Sequence, residues 1–452
     1  MAISNGTSTD HADLLTKLEQ FILGDHVATV AINAGGAAHV VNDIITLTDG
    51  TFTKAARFQV LTVSAGAITG LRIIDSGAYS VNPDLTATTS WTTSGVGTGA
   101  TFDLTMEVSN WTKLEDDATL DSSTERVLIF QETTNDVFIG FRSYTQVTGA
   151  QTAKNWVVFG MTSYNGGLPW YQQPDISPSG ISSVDGTVLQ TTAGGSFFCA
   201  KSNDGFAMTY WFHVTDRRVV AVAKLFDATV VTPRYSTLYA GLLNPFGTNA
   251  EFPYPLYVAG CTAGYQTSWN DLVPCFQFSG LSQAIGLSSR LGPGFYWHND
   301  GNWKSVTNWA LNSPGSTIRA ASNDFTVYPC GIPDAAAGTD VQIVADVAST
   351  QLQWEGIVQQ SGFAAATYEL RPTPDSGAGG DKRALVPCTI ILSLDPDVDI
   401  AGELDGVYWV SAAGSTVVTS EDLVSDSTSQ KYMAVPNGVY NQLDGYMAIR
   451  QD

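Results

Sequence analysis

Three short runs set a carboxylate beside an aromatic ring: QWEG at 353–356, SWND at 268–271 and ELDGVYW at 403–409. Glycoside hydrolysis needs two carboxylates flanking a sugar, and an aromatic face beside them can hold the ring, so each run carries part of a glycosidase. Such pairings also arise by chance in an acidic, aromatic-rich chain, and no second feature ties any two of them together. FYWHNDGNW, residues 295–303, places Tyr296, Trp297, His298 and Trp303 around a turn. Flat rings beside amides and an imidazole suit contact with a glycan, and they suit a packed subunit contact equally well. In DPDVDIAGELDG, Asp395, Asp397 and Asp399 begin like a calcium loop. Ile400 and Gly406 then stand where an EF-hand needs Gly and Glu, which leaves only a looser calcium turn. His11, His26, His39, His213 and His298 are scattered, with no H-E-x-x-H. No G-x-S-x-G or S-x-x-K context announces a nucleophile. SGVGTGATF, residues 94–102, has neither the lysine nor the following helix of a phosphate loop. The chain is therefore expected to be no enzyme and to carry no cofactor and no metal beyond that weak calcium turn.

Charge narrows the partners. With 43 acidic and 21 basic residues the formal net charge is −22, a surface that repels phosphate backbones and anionic lipid. Nucleic acid is not an expected partner. No run approaches the roughly 20 apolar residues that span a bilayer, so membrane insertion is not expected either. The opening MAISNGTSTD has no basic stretch leading into an apolar one, which points to synthesis in the cytoplasm. Five widely spaced cysteines without a C-x-x-C read as buried thiols; pairing of Cys261 with Cys275 stays open.

The positioning elements read as mainly β. Charged residues make up 14% of the 452, and polarity comes instead from Thr, Ser, Asn and Gly, which favour strands and turns over solvated helices. One helix is legible in DHADLLTKLEQFILG, residues 10–24, where Leu14, Leu15, Leu18, Phe21 and Ile22 follow a helical spacing, Asp10 can cap and Gly24 can close. So short a helix must dock its apolar stripe, on its own domain or on a neighbouring subunit. The expected organisation is an N-terminal docking helix over 1–30, a small glycine-rich antiparallel β module over 31–108, a larger sandwich-like β domain over 109–300 and a C-terminal β region over 301–452. TYWFHVTDRRVVAVAKLF, residues 209–226, reads as a hairpin turning at Thr215–Arg218, its second arm a central strand covered on both faces. NPFGTNAEFPYPLYVAG, residues 244–260, holds Phe246, Phe252, Tyr254, Tyr257 and three prolines around the single charge Glu251. Bare in water, it would be an apolar patch of a kind that monomers rarely expose. Burial of a large aromatic is worth roughly 1.5–3 kcal/mol, so this belt, with Leu14, Leu18 and Phe21, is the expected protein interface.

Several of these runs resemble a known family. AGGAAHVVNDIITLTDGTFTKAARFQVLTVSAGAITGLRIIDSGAYSVNP followed by GVGTGATFDLT is similar to the small β module recurring in virion structural proteins of tailed bacteriophages. TYWFHVTDRRVVAVAKL and TLYAGLLNPFGTNAEFPYPLYVAG resemble the body of that family, and ELDGVYWVSAAG, KYMAVPNGVY and YMAIR its closing strands. His39 departs from the pattern, where the module usually has an aromatic, as do Pro436 and Asn437, which interrupt a strand. The resemblance implies a multi-copy virion component attached to the tail or baseplate, made in the host cytoplasm, without a catalytic site. Its implied partners are copies of itself and other tail proteins. The alternative is a receptor- or glycan-binding tail protein contacting a host surface glycan, with polysaccharide depolymerase as its extreme form.

Overall fold

A computed structural model describes residues 1–118, 125–148, 151–176, 196–199, 208–225, 234–248, 254–260, 294–297, 302–305, 326–329, 385–393, 398–411, 423–424, 431–436 and 445–451. Of the described residues 62% are strand and 8% helix, so the chain is mainly β as its composition predicts.

The body is a sandwich. Its central sheet runs, in spatial order, β1 (Ala2–Ser8), β15 (Met208–Val214), β16 (Arg218–Leu225), β17 (Arg234–Leu242), β19 (Leu256–Gly260), β20 (Gly294–Trp297) and β21 (Asn302–Ser305), all antiparallel. The expected hairpin is β15–β16, with Thr215 N–H donating to the Arg218 carbonyl at 3.0 Å. β16 lies between two partners, and Val219 to Ala223 are all buried, so both of its faces are covered. The facing sheet runs β10 (Trp111–Asp117), β11 (Arg126–Glu132), β12 (Val137–Thr148), β13 (Gln151–Met161) and β14 (Ser196–Cys199). Side chains alternate across a strand. Leu128 and Phe130 therefore join Phe212, Ala221 and Leu238 of the opposite sheet in one core, while Val127 and Ile129 pack under Trp170 on the outer face.

Helix α1 (His11–Leu23) closes one end of the sandwich. Asp10 caps it, its carboxylate accepting from Ala12 N–H at 2.9 Å and Asp13 N–H at 2.8 Å. Gly24 ends it with φ −83°, and a Cβ there would meet the Ala78 Cα at 2.9 Å, so close approach rather than a left-handed turn requires glycine. Leu14, Leu15, Leu18 and Ile22 are fully buried and Phe21 nearly so, all in the sandwich core. The helix thus docks on its own chain. Leu14, Leu18 and Phe21, expected as contacts for a neighbour, have no surface left to offer one.

The glycine-rich module begins at β2 (His26–Ala37), which pairs with β9 (Thr98–Glu107). β6 (Ala67–Asp75), β5 (Arg57–Ser64), β3 (Ile44–Leu47) and β8 (Trp91–Thr93) form a four-stranded sheet, and β4 (Thr51–Lys54) pairs β7 (Ala78–Val81). They share a core of Val27, Ile45, Phe58, Val60, Tyr79 and Phe102. SGVGTGATF leads into β9, where Gly99 takes φ +73°. His26 opposite Glu107 brings the module's two ends together, so it stands on the body as an insertion.

The C-terminal sheet runs β22 (Thr326–Pro329), β23 (Leu385–Ser393), β24 (Val398–Ser411), β27 (Gly445–Arg450), β26 (Lys431–Pro436) and β25 (Leu423–Val424). It is not separate from the body: β18 (Asn244–Pro245), inside the aromatic-proline belt, pairs with Glu403 and Gly402 of β24. Residues 1–30 are likewise no free-standing unit, because β1 pairs along its length with β15.

Candidate functional site

Among the described residues, two clusters of buried charge sit where one sheet meets another. The larger cluster surrounds Asp75, whose side chain is fully buried at the end of β6. Its Oδ2 lies 2.8 Å from Lys54 Nζ and 3.3 Å from Arg57 Nη2, and Oδ1 accepts from Gly77 N–H at 3.0 Å. Arg57 donates to the Asn5 side-chain oxygen at 2.7 Å. Lys54 donates to Ser4 Oγ at 2.8 Å and to the Asn5 carbonyl, and its ammonium lies 5.0 Å from the centre of the Tyr210 ring. Ile3 and Ser76 exchange two more bonds, Ile3 N–H to Ser76 Oγ at 3.1 Å and Ser76 N–H to the Ile3 carbonyl at 2.7 Å. Burial pulls the Lys54 ammonium below its usual range against the pull of Asp75, and burial together with Asp75 pushes Tyr210 up to about 12. A lysine of lowered pKa beside a tyrosine is also a nucleophile's setting. Here, however, the three ammonium hydrogens face four acceptors, Asp75, Ser4, the Asn5 carbonyl and the Tyr210 hydroxyl at 3.2 Å. The cluster is a clamp joining the module, strand β1 and the central sheet.

A second junction joins the central and C-terminal sheets. Arg218, fully buried, places Nε 3.1 Å from Asp405 Oδ2, and Asn244 donates to Asp405 Oδ1 at 3.1 Å. Asp405 N–H donates to Tyr239 OH at 3.2 Å, and that hydroxyl donates to the Leu242 carbonyl at 2.7 Å. Burial pushes the Asp405 carboxyl up, but Arg218, the Asn244 amide and Arg450 outweigh it and hold it below the ordinary range. Burial pushes the Tyr239 phenol up. Gly406 has φ +66°, and a Cβ there would lie 2.4 Å from Arg218 Nη2, so only glycine lets the guanidinium pass. A third network fixes the helix to the facing sheet: Glu19 lies 2.7 Å from both Lys113 and Arg126, and both cations also reach Asp116.

The belt is divided between interior and surface. Tyr257 is fully buried in β19, edge-on to Tyr239. Tyr254 packs against the sandwich core, and its hydroxyl accepts from Phe138 N–H at 3.2 Å and lies within donating distance of the Asp136 and Met161 carbonyls, at 3.0 and 3.2 Å. These two tyrosines, expected at an interface between chains, are held within one: Tyr254 against the sandwich core, and Tyr257 beside Tyr239 on the opposite face of the central sheet. Phe246 is 57% exposed, and Phe252 lies outside the described residues. Tyr254→Phe should lose about 1–2 kcal/mol, because Phe138 N–H is left without its acceptor. Urea unfolding would register this; an unchanged midpoint would show that the hydroxyl does not bind the sheets.

The remaining expected residues are only partly placed. β20 and β21 form a hairpin in which Tyr296 pairs with Trp303 and Trp297 with Asn302, while His298 lies outside the described residues. Asp399 lies in β24 opposite Leu392; Asp395 and Asp397 lie outside the described residues. Of the carboxylate runs, QWEG and SWND also lie outside them, and in ELDGVYW the Asp405 carboxylate is taken by Arg218. Among the described residues no group of three or more His, Cys, Asp or Glu is placed to hold a metal ion. Asp75, Lys54, Arg57, Arg218 and Arg142, the last buried 3.0 Å from Glu125 and 5.3 Å from the centre of the Trp170 ring, were not singled out from the sequence. The available signal was a charge adjoining an apolar strand in a charge-poor chain. A scan against models of protein families found no match, and a search of the curated proteins found none either.

Proposed function

We propose that this chain is a structural component of a tailed-phage virion, associated with the tail or baseplate. The observation that carries the reading is how the buried charge is used. Asp75 and Arg218 each join one sheet unit to the next, and Lys54, the one described lysine or arginine whose pKa burial lowers, is occupied in the same way. Charge placed at these two junctions suits a chain that keeps a fixed shape. The resemblance in the module, the body hairpin and the closing strands supports the same reading. With Tyr254 and Tyr257 turned inward, contacts with copies of itself or other tail proteins fall to the surface. At one end of the module Val40, Val41 and Val96 are 58%, 49% and 81% exposed, and Phe246 stands out from the body. Mass spectrometry of purified virions should find the chain in multiple copies, and Val40→Asp with Val96→Asp should lower its incorporation while leaving the isolated protein folded. A chain found in infected cells but missing from virions would overturn the proposal.

The alternative of a glycan-binding tail protein is favoured by the pairing of Tyr296 with Trp303, which brings two residues of the aromatic run together across a hairpin. Retention of the purified chain on host polysaccharide, lost in Trp303→Ala, would favour it.

A further inference from the structure

We propose that the contact between the central and C-terminal sheets is an acid-released latch: as pH falls, β24 and β18 part from the central sheet while the sandwich and the module stay folded. This goes beyond the role proposed above and does not rest on it.

The latch is visible in the register. His213 of β15 pairs with Val220 of β16, which pairs with Tyr239 of β17, and Arg218 lies two residues from Val220. Side chains alternate along a strand. His213, Arg218, Val220 and Tyr239 therefore share one face of the central sheet, and the other carries Phe212, Val219, Ala221 and Leu238 into the sandwich core. Arg218 and Tyr239 reach Asp405 of β24, so the His213 face is the one that meets the C-terminal sheet. His213 is 1% exposed, and neither ring nitrogen has a hydrogen-bond partner among the described residues.

The charged and titratable groups on this face come from five strands. β16 and the turn before it give Arg217, Arg218 and, farther along, Lys224; β17 gives Tyr239, β19 gives Tyr257, β24 gives Glu403 and Asp405, and β27 gives Arg450. Met1 brings its sulfur 3.5 Å from Arg218 Nη2, and its ammonium lies 3.2 Å from Glu107. Burial first, and Arg218 second, push the His213 imidazole down to about 3. A depressed histidine contributes stability that is complete above its unfolded value, near 6.5, and is lost as pH falls toward about 3. Asp405 is also depressed, so its contribution begins to go only near and below roughly pH 4. Glu403 opposes both, since burial raises its carboxyl, but it is the least buried of the three. Acid thus places a second cation beside Arg218 and then removes the anion that balances Arg218. Lifting the C-terminal sheet opens the face that both cations share without opening the core under the opposite face.

Hydrogen exchange read by mass spectrometry on the full chain, from pH 7 to pH 4 and corrected for intrinsic rates, tests this. Peptides covering β18 and β24 should lose protection below about pH 6 while β11, β12 and β13 keep theirs. Asp405→Asn should show the unlatched pattern already at pH 7. His213→Leu removes the titrating group and should lower the wild-type transition by about one pH unit. If Asp405→Asn does not fold, His213→Leu decides alone. Loss of protection in all sheets at one pH, protection of β24 down to pH 4, or a His213→Leu transition at the wild-type pH would each overturn the latch.

Discussion

Asp75→Ala should destabilise the protein by about 3–5 kcal/mol, the cost of removing one partner from a buried charge cluster. Among the described residues Asp75 is the only carboxylate that Lys54 and Arg57 pair with, and its side chain is fully buried while theirs are about a quarter and a third exposed. Without it, two cations share a desolvated space in which the Lys54 ammonium is already pulled down by burial. Asn5 and Gly77 lose the acceptor for their N–H groups at the same time. Asp75→Asn separates the effects: it keeps the volume and one acceptor oxygen but loses the charge, so it should fall between wild type and alanine. Asp13 supplies the comparison, because its i,i+4 pair with Lys17 is about a third exposed and Lys17→Ala should cost no more than about 0.5 kcal/mol. Urea unfolding of the three variants measures the series. A loss below about 1 kcal/mol for Asp75→Ala would mean that the clamp does not hold the module to the body.

The elements that were legible in the sequence are those whose signal is local. The helix announced itself through Leu14, Leu18 and Phe21 and through Asp10, since periodicity and capping are settled within a few residues. The hairpin at Thr215–Arg218 did so too, because two apolar arms flank a charged turn. β1 was not legible: in AISNGTS only Ala2 and Ile3 are apolar, and its place is set by pairing with Met208–Val214, some two hundred residues on. Asp75 reads as part of the turn DSG, and nothing near it shows that Lys54, Arg57 and Asn5 converge there. For Tyr254 and Tyr257, unlike the exposed Phe246, the expectation of an interface between chains fails for a physical reason. A charge-poor run of proline and tyrosine is a run that leaves water, and composition is the same whether a neighbouring chain or the chain's own sheets cover it. Register decides: the pairing of β19 with β17 sets Tyr257 edge-on to Tyr239, and the side chain is fully buried.

Trp156 tests the same point at the helix. It is fully buried in β13, sits edge-on to Phe141 at 6.1 Å, and donates its indole N–H to the His11 carbonyl at 2.7 Å. That bond joins the first turn of α1 to a strand 145 residues away. Trp156→Ala should cost about 3–5 kcal/mol, from the cavity left between helix and sheet. Trp156→Phe keeps most of the packing and loses the bond and part of the ring, so about 1–2 kcal/mol is expected. The losses should appear in unfolding of the chain at any protein concentration, because every contact they remove is made within one copy. If instead Trp156→Ala left unfolding unchanged and altered only the mass of an assembly, the helix would belong to an interface between chains, and the apolar stripe of Leu14, Leu18 and Phe21 would have to be reassigned to a neighbour.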